Sequence, residues 1–184
     1  LLIAEDNNTT KPDKSETSIK TSIEEEFCTI IRDTSYVLNE DDIEKAASFI
    51  YNAKNIYFFG VGSSGLSALE AEINFMRFGI PSKAVIDPHF QIMVSSTFTG
   101  DDVIIAFTLS GTTKDIYESC LVAKQSGAKI IVITNYVSSP IGKLADCILL
   151  TAAKEHIMQG GTLGGNVSQL FVIDVLKEKY YQKS

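Results

Sequence analysis

Five short apolar runs punctuate the chain: Ile56–Phe59, Lys83–Ile86, Val103–Phe107, Lys129–Ile133 and Asp146–Leu150. They are rich in β-branched and aromatic residues and too short for helices, which predicts strands, and those of continuous apolar character predict strands buried on both faces. Between them apolar residues recur every three or four positions, the helical period. Leu66, Leu69, Ile73 and Met76 follow the first strand, with Glu70 on the opposite, solvated side. Asp87-Pro88 opens a helix towards Ser96, and Ile116, Cys120 and Ala123 mark the helix after the third strand. Ser139 to Leu144 gives a short helix, and a helix over Leu163–Tyr180 has Val167, Leu170, Phe171 and Ile173 to bury. Two helices precede the strands. Ser22-Ile23-Glu24-Glu25 fits a capping box opening the first, with Ile23, Phe27, Ile30 and Ile31 on one face. Asn39 caps the second, Asp41 to Ala53, with Ile43, Ala46, Ala47 and Ile50 inward.

Strand and helix alternate, so the predicted fold class is α/β, a three-layer αβα arrangement around a five-stranded parallel sheet. Right-handed crossovers limit the topology, and the flavodoxin-like order 2-1-3-4-5 is the one expected. In that order strands one and three are neighbours whose connections leave towards opposite faces. A crevice opens at their carboxyl ends, where ligands bind in such sheets.

The turns at that crevice are unusual in composition. After the third strand come Thr108-Leu109-Ser110-Gly111-Thr112-Thr113, almost all hydroxyls around one glycine. Gly111 permits a tight turn and close backbone approach, and Thr112 is the candidate N-cap, with Asp115 in the capping-box position. The first amides of the helix and its dipole favour an anion, and Thr108, Ser110, Thr112 and Thr113 add hydroxyl donors. The stretch reads as a phosphate cradle, against the plainer reading of an ordinary capped turn. After the first strand, Gly60-Val61-Gly62-Ser63-Ser64-Gly65 matches G-x-G-x-x-G. The acid that a dinucleotide site needs has only Asp87 as a candidate, and Asp87 precedes a proline and caps the next helix. The convergence of both turns on one switch point carries more than either motif alone.

Composition narrows the remainder. A chain of 184 residues, 45% hydrophobic and 21% charged, is ordinary for one globular domain with a real core. A net charge of −7 argues against this segment gripping a nucleic-acid backbone itself. No run approaches a membrane span, so no membrane partner is expected. Cys28, Cys120 and Cys147 have no metal-ligand spacing and read as buried reduced thiols of a cytoplasmic protein. No cofactor or metal is expected. Residues 1–20, an apolar scrap and a polar run, read as a linker remnant of an upstream domain, and residues 21–184 as the domain proper.

With both turns placed, the chain resembles the sugar isomerase, or SIS, domain. The matching residues are Gly60 to Ser64, Ser110 to Asp115, Gly127-Ala128-Lys129 leading into Thr134-Asn135, Ser139-Pro140-Ile141 and Leu144-Ala145-Asp146. It is most similar to the effector-binding domain of RpiR-type bacterial transcription regulators, a branch favoured by Asp87 to Gln91 and Leu150-Thr151. The resemblance implies a phosphosugar effector, with its phosphate on Thr108, Ser110, Gly111, Thr112 and Thr113 and its sugar hydroxyls near Gly62, Ser63 and Ser64. It also implies a homodimer or higher homo-oligomer and DNA contact only through an upstream helix-turn-helix domain. An isomerase would need a general base near the sugar's C1 and C2. Candidates are Glu155, His156, His89 and Glu70. Some isomerases of this fold place a His ahead of a Gly-Gly-x-Leu-Gly stretch, whereas here Gln159 precedes Gly160 to Gly164. A sensor with no catalytic residue, Glu155 contacting the sugar as an acceptor, is therefore the expected function, and a phosphosugar isomerase or lyase the alternative.

Overall fold

The computed structural model describes residues 18–153 and 163–183. Five parallel strands run β1 Asn55–Phe59, β2 Ser82–Val85, β3 Asp102–Phe107, β4 Lys129–Thr134 and β5 Cys147–Leu150, in the order β2-β1-β3-β4-β5. This is the expected α/β topology. Of the linker assigned to residues 1–20, residues 1–17 lie outside the described residues, as do Glu155, His156 and Gln159, while Ile19 and Lys20 already belong to the first helix.

Alternation along the strands sends side chains to two cores. Ile56, Phe58, Val103, Ile105, Phe107, Ile131 and Ile133 meet one helical layer, formed by α2 Glu40–Tyr51, α3 Ser63–Met76 and α6 Leu163–Lys183. Phe59, Ile104, Ala106, Ile130 and Val132 meet the other, formed by α4 Pro88–Ser95 and α5 Lys114–Gln125. Strand β3 is buried at every position, so the sheet is covered on both faces at its centre. The opening helix, α1 Ile19–Val37, docks on α6. A single 3₁₀ turn, Gly142–Leu144, stands where the sequence predicts a short helix.

Three helices differ from their periodicity. In α3 the buried residues are Gly65, Ser67, Ala68, Ala71 and Phe75. Leu66, Ile73 and Met76 are exposed at 63%, 46% and 55%, with Leu69 partly so. Small residues let α3 lie close to the sheet and to α6, and the larger apolar stripe faces out. In α1 only Ile30 and Thr34 are buried, and Ser18 rather than Ser22 is the N-cap, accepting from Thr21 N. In α6 the buried set is Gly164, Gly165, Ser168, Gln169, Val172, Ile173 and Leu176, while Leu170 and Phe171 are only partly covered. The aromatic end of α6 folds back on the chain, with Tyr180 against Tyr51 and Tyr181 against Phe78 at ring distances of 6.2 and 5.7 Å.

The cysteines also divide. Cys120 and Cys147 are buried, which pushes their thiols up to about 12 and about 11, whereas Cys28 is exposed. No helix among the described residues is long and apolar enough to cross a membrane.

Candidate functional site

The pairing of β1 with β3 sets Phe59 opposite Ala106, so the turns that follow leave the sheet side by side. Each ends in a helix that starts without a side-chain cap. Gly62 stands at the N-cap of α3 with φ 61°, and Thr113 at the N-cap of α5. The expected N-cap Thr112 is thus one residue out. Its hydroxyl turns back to Ser110 Oγ (3.0 Å), which leaves the start of α5 open. The first amides of such a helix have no intrahelical acceptor, and the dipole concentrates positive potential there.

The first turn is tight at Gly60, where a Cβ would overlap the Ser64 carbonyl. Gly62 and Ser63 are exposed and Ser64 is half-buried. The second turn is closed from within. Thr108 is buried, and its hydroxyl accepts from Gly111 N at 3.2 Å and meets Thr113 Oγ1 at 3.3 Å. Thr108 and the Gly111 amide therefore hold the loop. Ser110 Oγ accepts from both the amide and the hydroxyl of Thr112, which leaves its own proton to donate outward. Ser110 and Thr113 are half-buried and Thr112 is exposed. Residues 60–65 and 108–113 carry no titratable side chain.

The loop after β4 secures the second turn. Thr134 Oγ1 and Asn135 N both donate to Leu109 O, and Ile141 N donates to Gly111 O. Asn135 Oδ1 accepts from Thr151 Oγ1 and Ala153 N, and its Nδ2 donates to Ala153 O. These are the Thr-Asn and Ser-Pro-Ile residues of the family resemblance, and their part is to hold the turn.

Residues that sequence reasoning missed come from α4 and α6. Gln91 Nε2 donates to Gly60 O, Asn166 Nδ2 to Ser63 O and Ser67 Oγ, and Gln169 Nε2 to Ser64 Oγ. Gly165 lies so close to Leu109 that a Cβ would overlap its Cδ1. The first turns of α6 thus touch both hydroxyl turns and form a third wall. The sequence carries no signal for these residues: Ser168 and Gln169 form a polar pair between Val167 and Leu170, and it is the tertiary path of α6 that buries both. Other candidates lie elsewhere. His89 is exposed at the start of α4, and Glu70 bonds Asn74 on the rim of a groove of about 390 Å³ between α3 and α6. No cluster of His, Cys, Asp or Glu suited to a metal occurs among the described residues.

A five-stranded parallel sheet of this order, covered by helices on both faces and with two hydroxyl-rich turns at its switch point, defines an α/β domain of the SIS fold. The SIS-domain family model matches residues 49–179, and the chain belongs to that family. Its relatives include an HTH-type transcriptional regulator of Clostridium perfringens, 36% identical over 147 residues, which are 80% of this chain and 53% of that protein. The HTH-type regulator RpiR of Escherichia coli is 36% identical over 138 residues, 75% of this chain and 47% of that one. The chain spans about half the length of the curated relatives it matches. Among solved structures, Vibrio vulnificus NanR complexed with ManNAc-6P superposes with a TM-score of 0.86 at 22% identity, over 90% of this chain and 63% of that one.

Gly111 has φ 66°, and a Cβ there would overlap Ser139 Cβ and Oγ. Gly111→Ala should destabilise the fold by about 3 kcal/mol, from backbone strain and overpacking together. Urea unfolding checks this, and an unchanged midpoint would contradict the loop geometry.

Proposed function

We propose that this chain is the effector-sensing domain of a bacterial transcription regulator that controls carbohydrate catabolism genes. The effector is a phosphorylated sugar or amino sugar. Its phosphate sits on the second turn, over the open start of α5, with Ser110 and Thr113 donating and Thr112 orienting Ser110. Its hydroxyls lie towards Gly62, Ser63 and Ser64, and Glu155 accepts from one of them. DNA is contacted by a separate helix-turn-helix domain, in the cytoplasm, as the HTH-type relatives suggest.

The carrying observation is the pair of uncapped helix starts at adjacent strand ends, faced with hydroxyls. NanR, bound to ManNAc-6P, supports the choice of ligand class. Hydroxyls and amides bind and orient an anion, but they do not shuttle protons at neutral pH. Ser110→Ala and Thr113→Ala should each weaken sugar-phosphate binding by roughly 1.5–3 kcal/mol, since each removes a donor to a charged group. Calorimetry with hexose 6-phosphates is the measurement, and unchanged affinity in the double variant would show the cradle misplaced.

The isomerase reading turns on Glu155. Incubation with glucosamine, N-acetylglucosamine, muramic and fructose phosphates in deuterated water should give no exchange at C1 or C2. Catalytic exchange abolished by Glu155→Gln would replace the sensor with an enzyme.

The proposed assembly is a homodimer. The exposed stripe Leu66, Leu69, Ile73 and Met76 recurs at alternating steps of three and four, the spacing of a helix-pairing seam, and a second copy offers the same stripe. Sedimentation at high micromolar concentration should show a dimer, and Ile73→Lys should shift it towards monomer. A wild-type monomer under those conditions would count against self-association.

A further inference from the structure

Buried polar side-chain atoms nearly always have a hydrogen-bond partner, because burial strips their water and something must replace it. The Oε1 atoms of Gln91 and Gln169 are buried and find no partner among the described residues. Both glutamines grip the first turn, but in different ways. Gln91 donates only to backbone, to Val85 O at 2.7 Å and Gly60 O at 3.3 Å, and so fixes the path of the chain. Gln169, 1% exposed, donates to a side chain: Ser64 Oγ, at 3.0 Å.

That contact leaves a matched pair of unused groups. A serine hydroxyl has one proton and two lone pairs, and one lone pair of Ser64 takes the Gln169 amide. The Ser64 proton has no acceptor among the described residues, and Gln169 Oε1 has no donor. Exchanging the two ends of the amide only swaps the roles, leaving a Gln169 donor beside a Ser64 acceptor. Either way the complement is one group that donates and accepts at once. A hydroxyl does both. An ammonium would leave the Ser64 proton unmet, and a phosphate or ketone oxygen would leave Oε1 unmet.

The helix that carries Gln169 also spans the crevice. Gly165 packs against Leu109 of the second turn, and Gln169, one turn further along the same face, reaches the first. The two contacts are about 6 Å apart along the helix axis. We propose that Gln169 and Ser64 form a hydroxyl-reading subsite, with Gln169 a specificity-determining residue for the sugar whose phosphate lies on the second turn. This rests on the phosphosugar reading above and names which part of the ligand is selected, and by which residue.

The test is calorimetric titration of wild type, Gln169→Met, Ser64→Ala and the double variant. The probes are fructose, glucosamine and N-acetylglucosamine 6-phosphates and their deoxy analogues, with inorganic phosphate as competitor. Gln169→Met and Ser64→Ala should each weaken the best-bound sugar phosphate about tenfold, the loss of one net hydrogen bond. The double variant should lose little more, since both act on one hydroxyl. Competition by inorganic phosphate should stay within about twofold of wild type, because the second turn is untouched. One deoxy analogue should bind wild type as weakly as its parent binds Gln169→Met. Unchanged affinity in Gln169→Met overturns the subsite, and so does an equal loss for sugar phosphate and inorganic phosphate. Should Gln169→Met fail to fold, the same outcomes are read from Ser64→Ala, at a half-buried hydroxyl. Absence of any sugar-phosphate binding by wild type overturns the phosphosugar reading itself. Binding indifferent to both variants overturns only the hydroxyl subsite.

Discussion

Everything at the crevice depends on β1 and β3 being hydrogen-bonded neighbours although β2 lies between them in sequence. Right-handed crossovers then force α3 and α5 onto opposite faces of the sheet, so both helices start at one edge and diverge. The apolar pairing of Phe58 with Ile105 and Phe59 with Ala106 is what holds the two turns in register. The geometry of the two turns is thus set by core packing, several residues away from their polar groups.

The third wall is made by close approach. Gly165 on Leu109, Asn166 on Ser63 and Gln169 on Ser64 bring α6 to within side-chain reach of both turns. The family resemblance points to two loops, and in the structure one helix, α6, packs against both. The same helix is packed along its length against α3, α2 and α1, so the wall is anchored in the larger core.

The strands and the two turns were legible because each signal is local. β-branched runs, Asp87 before Pro88 and Asn39 before an acidic first turn all write their structure into adjacent residues, and Asp87 and Asn39 do cap their helices. What was not legible concerns relations between elements. The stripe Leu66, Leu69, Ile73 and Met76 has the period of a buried face, yet period alone does not say whether this chain or another molecule covers it. Thr112 looks like an N-cap, but its hydroxyl donates to Ser110 Oγ and the helix starts after Thr113. Gln169 looks like a surface residue between Ser168 and Leu170, and only the tertiary path of α6 buries it. Glu155 lies outside the described residues, and its part stays with the proposal.

The absence of ionisable side chains from residues 60–65 and 108–113 has a consequence for signalling in a changing medium. Hydroxyls and backbone amides hold their protons across the whole physiological range, so these two turns present the same donors in acid and in alkali. Under the proposed function, protonation chemistry there belongs to the ligand: a phosphate monoester takes up its second proton near pH 6 and offers less charge below it. A surface without ionisable groups of its own can distinguish ligands by identity and concentration while leaving acidity to them.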